Sequence, residues 1–240
     1  MKQTYLKEAW WLTRFELRHS LISYTILAAL FLFIITFSMP SLSDFKNDVG
    51  MGMDYNFLFL LFALPAIVKM QPFRSISVGN FIYAAPIHVL MRQLPINRSA
   101  YIMYILFHRF LLSATVAGIY LTFLYLFDNS SIPFNHYVSF ILLWIAFSYT
   151  LHLLDAYSQF GHNLIIWISL IIITVFILFI VFLLVFYIYF YDAGFVQWTL
   201  DMAMKFPVYT SVVALLLIGL NIIFWSKMFR RKMNKMDLYY

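Results

Sequence analysis

The chain has 240 residues, of which 64% are hydrophobic, 21% aromatic and only 11% charged, with a formal net charge of +6. A soluble domain carries roughly a quarter charged residues, and a globule of this size leaves too much surface exposed to hide so much apolar area. A soluble enzyme and a disordered chain are therefore excluded as defaults, and the bilayer is the solvent that suits this composition. The absence of cysteine removes disulfides, thiolate metal sites and cysteine nucleophiles.

The first 19 residues read as an interfacial helix. At 100° per residue, Leu6, Trp10, Thr13 and Leu17 share one face, and Lys7, Arg14 and Arg18 form an adjoining stripe with Trp11. Trp10 and Trp11 then sit at headgroup level, with Arg14 and Arg18 toward phosphate. The plain reading is an anchor; the sharper one is a lever that carries a partner's motion to the first span. The apolar run that follows lacks a short basic leader, and Met39-Pro40 is a poor cleavage site, so it is expected to stay as the first anchor.

Six spans are predicted, at about 21–39, 50–69, 101–127, 136–155, 164–191 and 207–225. The second is the weakest, because Tyr55 to Val68 is short and holds Pro65. Starting it near Gly50 places Asp54 either at the outer mouth or in a loop. The fifth run, Leu164–Tyr191, carries no charge and would be about 42 Å long as a helix, so it must tilt or protrude. The segment 70–98 is a less hydrophobic cytoplasmic loop, Asp192 to Phe206 is an outer loop, and 226–240 is a basic tail. With no internal repeat and no low-complexity linker, the expectation is one all-α, polytopic membrane domain.

Charge placement sets the orientation. With the N-terminus inside, thirteen of the sixteen Lys and Arg residues fall on the inner side, against Lys46 and Lys205 outside. Both termini are then cytoplasmic. The basic excess faces anionic lipid, and nucleic acid is not needed to explain it.

The stretch Leu94-Pro95-Ile96-Asn97-Arg98-Ser99-Ala100-Tyr101-Ile102 resembles the segment before the third span of ABC type-2 permeases. The order of parts is also similar along the whole chain: an amphipathic N-terminal helix, six spans, a coupling segment after the second, and an outer insertion before the sixth. The chain departs from that pattern in having no acidic residue between Lys69 and Arg98. The resemblance implies the membrane subunit of an ATP-driven exporter of hydrophobic or amphipathic cargo. In size and layout the chain looks like the phenol-soluble modulin exporter permeases of Gram-positive bacteria. It also implies a bacterial cytoplasmic membrane, a second copy or related permease, and separate ABC ATPase subunits that hold the ATP and Mg, with no cofactor bound by this chain.

Physical reasoning gives the coupling segment its contacts. Pro86 and Pro95 bracket Ile87–Leu94, about two helical turns. Val89, Leu90 and Leu94 offer apolar contacts, while Arg92 and Arg98 offer charge-assisted hydrogen bonds to a groove on a soluble partner. The plain alternative is a membrane-surface helix with snorkelling arginines.

Few residues suit chemistry. No G-x-x-x-x-G-K-[ST], H-E-x-x-H or G-x-S-x-G pattern occurs, so no intrinsic catalytic or metal site is expected, and an ABC permease of this sequence needs its ATPase on a separate polypeptide. Arg109 lies about 15 Å along a helix counted from Ser99, near the midplane if the span starts there. Phe110–Phe127 is long enough to span alone, so the preferred reading is an Arg109 that snorkels to the interface. His152 and Asp155 share a helix face, as a relay pair or, more plainly, as a polar helix end. Asp54, Arg109, His152 and Asp155 are the candidate pathway or gating residues. The rival readings are a lipid-modifying membrane enzyme centred on His108, His152 and Asp155, and a non-transporting scaffold or immunity protein.

Overall fold

The computed structural model describes residues 2–38, 54, 57, 61, 76–79, 82–84, 96–127, 132–158 and 194–236. Helix α1 (Lys2–His19) passes into α2 (Leu21–Ser38) through Ser20. The helical hydrogen bonding continues across that turn, from Ser20 N to Glu16 O at 2.8 Å and from Tyr24 N to Ser20 O at 3.0 Å. Ala9, Leu12, Thr13 and Glu16, spaced i, i+3, i+4, i+7, form the buried face of α1. Trp11, Arg14 and Arg18 are exposed, and Trp10, about half exposed, sets its ring edge-on to Phe107, with centroids 5.8 Å apart.

The segment after the second predicted span is not helical throughout. Strands β1 (Ile76–Gly79) and β2 (Ile82–Ala84) pair antiparallel, with Ile76 opposite Ala84 and Ser77 opposite Tyr83. The register is irregular between Ser77 and Gly79. β-Branched and aromatic residues with a punctuating glycine favour this choice over helix. It amends the all-α expectation for 70–98. Pro86, Val89, Leu90, Arg92, Leu94 and Pro95 lie outside the described residues.

Helix α3 (Arg98–Phe127) begins three residues before the predicted boundary because Asn97 caps it. The Ser99 amide donates to Asn97 Oδ1 at 2.9 Å, and the Tyr101 amide donates to Asn97 O. Helix α4 (Phe134–Ser158) follows Pro133, whose carbonyl accepts from His136 N and Tyr137 N. Helix α5 (Phe195–Lys205) leads through Phe206 into α6 (Pro207–Met236), with Pro207 at the first helical position, where no donor is lost. Helix α6 continues eleven residues past the predicted limit, because Trp225, Phe229 and Lys232 remain packed inside the protein.

Helix α4 is the hub and packs on α3, α5 and most extensively on α6. One apolar cluster joins Leu27, Phe57, Tyr120, Phe140, Trp144 and Phe195; another joins Leu12, Tyr101, Ile105, Leu153, Trp225 and Phe229. Trp144 is fully buried, with the ring of Phe57 4.6 Å away and its indole N–H donating to Thr199 Oγ1 at 3.2 Å.

Three helical stretches, Arg98–Leu126, Phe134–Tyr157 and Pro207–Met233, are long and apolar enough to cross a membrane. The protein is a membrane protein with transmembrane helices. In α6, Leu215, Leu216, Leu220 and Ile223 are each at least 57% exposed, as a lipid-facing surface requires. Of the other predicted spans, 21–39 coincides with α2, whereas 50–69 and 164–191 lie almost wholly outside the described residues.

Candidate functional site

A polar network runs through the bundle between the two apolar clusters, built from α1, α2, α3 and α4. Its centre is His108, 2% exposed. Helices α1 and α2 reach its two ring nitrogens separately. Glu16 Oε2 lies 3.3 Å from Nδ1, and the Tyr24 hydroxyl lies 3.1 Å from Nε2. A carboxylate only accepts, so the hydrogen facing Glu16 belongs on Nδ1, and in the neutral ring Nε2 accepts from Tyr24. The Tyr104 hydroxyl, one helical turn before His108, donates to the same Glu16 oxygen. One carboxylate of α1 thus holds two side chains of α3.

Arg109 does not snorkel. Its side chain is 5% exposed and turned into the bundle, and Asp155 and Glu16 are the carboxylates that act most strongly on its guanidinium. Phe110–Phe127 is long enough to span, but packing rather than length decides the direction of this side chain. The opposite charges on α1 and α4 draw the guanidinium inward, where an uncompensated charge would be costly.

His152 belongs to the same layer. Its Nδ1 lies 2.7 Å from Ser113 Oγ and 3.4 Å from Ser148 Oγ. Ser113 gives its hydrogen to the Arg109 carbonyl at 2.8 Å, so the short contact is completed by an N–H on His152 Nδ1. His152 is thus part of a buried network, while Asp155, one turn further along α4, is half-buried. Among the described residues no group of three or more His, Asp or Glu is arranged to hold a metal. His162 lies outside them.

Asp54 stands apart from this layer. It is 2% exposed and caps α5 from a distant part of the chain, accepting from Phe195 N (Oδ2, 2.6 Å) and Val196 N (Oδ1, 2.9 Å). Gly194, at φ 92° and ψ 172°, supplies a backbone turn that side-chain-bearing residues rarely adopt. Two backbone donors at a helix N-terminus facing a carboxylate form a favourable charge arrangement.

Glu16 is the residue missed by sequence reasoning. The available signal was its place at i+4 from Leu12 and i+7 from Ala9, an acid on the apolar side of an amphipathic helix. Arg98, the described member of the predicted coupling set, stands exposed at the start of α3. Comparison with protein-family models, curated proteins and solved structures returned no match.

Proposed function

We propose that this protein is the membrane-spanning permease subunit of an ATP-driven ABC exporter for hydrophobic or amphipathic cargo. Six spans would place both termini in the cytoplasm of a bacterial cell. Two copies, or one copy and a related permease, would line the pathway. Separate ATPase subunits would dock near 70–98 and α1. The observation that supports this reading is the attachment of α1 to α3. Ala9 and Leu12 pack into the apolar cluster with Tyr101 and Ile105, and Glu16 holds Tyr104 and His108. A cytoplasmic partner that moved α1 would therefore also load the transmembrane helices. Nucleotide would drive the change by binding the two states with different affinities.

A lipid-modifying enzyme is the second reading, favoured by the short Ser113–His152 contact. Ser113 has no exposed surface, however, and a nucleophile must reach its substrate. A scaffold or immunity role would leave α1 with no load to transmit.

The test is gentle extraction with a C-terminal tag, followed by a search for a co-purifying P-loop ATPase. The expected result is an ATPase that binds the parent and is lost from Arg92→Glu and Arg98→Glu. Absence of any ATPase after crosslinking and several mild detergents overturns the permease reading. Lipid turnover that is abolished by His152→Ala would then support the enzyme.

A further inference from the structure

Helix α1 is joined covalently to α2, yet it packs far more extensively on α3 than on α2. Its contact with α3 has two parts. The apolar part, around Ala9, Leu12 and Ile105, is non-directional and tolerates sliding. The polar part is directional: Glu16 meets Tyr104 and His108, and Tyr24 holds the other nitrogen of His108. A one-turn slip of α1 would separate Glu16 from both partners and strand a buried charge. Buried polar groups of this kind are best known for fixing register.

We propose that the Glu16–Tyr104–His108 network is a transmission joint that makes α1 and α3 move as one body. A load on α1 then reaches α3 through side chains rather than through the Ser20 turn into α2. The joint assigns positioning roles to Glu16 and Tyr104 and does not require either to touch cargo. Its role in coupling rests on the permease reading, but the rigid-body property is independent of it.

The native chain contains no cysteine, which allows clean labelling. Spin labels are placed at Trp11→Cys on α1 and Leu126→Cys on α3, both exposed positions. The distance distribution is measured by pulsed EPR in nanodiscs. The parent is expected to give one narrow population. Glu16→Gln and Tyr104→Phe are each expected to broaden it or add a second population. Thr13→Val is the control: it alters the same buried face, but its hydroxyl bonds only within α1, to the Ala9 carbonyl at 2.9 Å. It should leave the distribution narrow. A distribution as narrow in Glu16→Gln as in the parent overturns the joint. So does equal broadening in Thr13→Val, which would mean general loosening of the face. Circular dichroism before and after labelling identifies any variant that fails to fold. Should Glu16→Gln fail, Tyr104→Phe carries the test, since it removes one hydroxyl and keeps the ring. None of these readouts uses an ATPase or cargo, so failure of the permease reading leaves the result intact. Where an ATPase does co-purify, Glu16→Gln should retain the bound ATPase and its hydrolysis but lose transport.

Discussion

Removing the Asp54 carboxylate should release α5 while the rest of the bundle holds. In Asp54→Ala, the amides of Phe195 and Val196 lose acceptors at 2.6 and 2.9 Å in a site only 2% exposed. A hydrogen bond to a charged group contributes about 1.5–3 kcal/mol, and a buried donor left unpaired costs about 1–3 kcal/mol. A carboxylate at a helix N-terminus adds about 0.3–1 kcal/mol. Part of this is offset because the buried charge no longer has to be desolvated. A net loss of about 3 kcal/mol follows, which at 1.4 kcal/mol per decade raises the local opening of α5 by roughly two orders of magnitude. Hydrogen exchange followed by mass spectrometry in nanodiscs reads this directly. Peptides covering 195–205 should exchange much faster in Asp54→Ala, while those from 207–225 stay near the parent rate. Asp54→Asn keeps one acceptor but turns an amide donor toward the second N–H, so its effect should lie between. Parent-like protection of α5 in Asp54→Ala would refute the capping role.

Three further outcomes test the packing. Gly194→Ala forces a side chain onto φ 92° and ψ 172° and should cost about 1–3 kcal/mol, seen as a lower thermal midpoint in detergent. Trp144→Ala empties the fully buried site among Phe57, Phe140 and Phe195 and should cost about 3–5 kcal/mol in reversible denaturation, whereas Trp144→Phe should cost clearly less. Leu216→Arg puts a charge on the exposed apolar side of α6, adding about 2.5–3.5 kcal/mol to insertion. A smaller membrane-inserted fraction is expected in a glycosylation-mapping assay, and unchanged insertion would argue against a lipid-facing surface there.

The long helices were legible in the sequence because hydropathy and length are local properties: the predicted 101–127 and 136–155 lie within α3 and α4. The start of α3 also had a local sign in Asn97, a good cap. The direction of Arg109 did not, because it depends on which charges α1 and α4 bring to it. Asp54 illustrates the same limit, since its two partners lie more than 140 positions away and the sequence left it between a mouth and a loop. Glu16 is legible in principle, but the Lys7, Arg14 and Arg18 stripe makes the outer surface of α1 the stronger signal in the sequence. The hairpin has only a weak local sign, because Ile76, Val78 and Ile82 stand in a short stretch flanked by basic residues and prolines, where helix and strand signals compete.

Lys232 adds a consequence for biosynthesis. It is buried on α6, with its ammonium donating to the Tyr157 carbonyl at 2.5 Å and lying 3.9 Å from the centre of the Tyr157 ring. That carbonyl is among the last four of α4, which have no partner within their own helix. A ribosome makes Lys232 seventy-five residues after Tyr157, so the end of α4 waits for its cap through the synthesis of everything between. Membrane insertion of α4 can precede its completion, which comes only when the α6 turn that carries Lys232 has emerged.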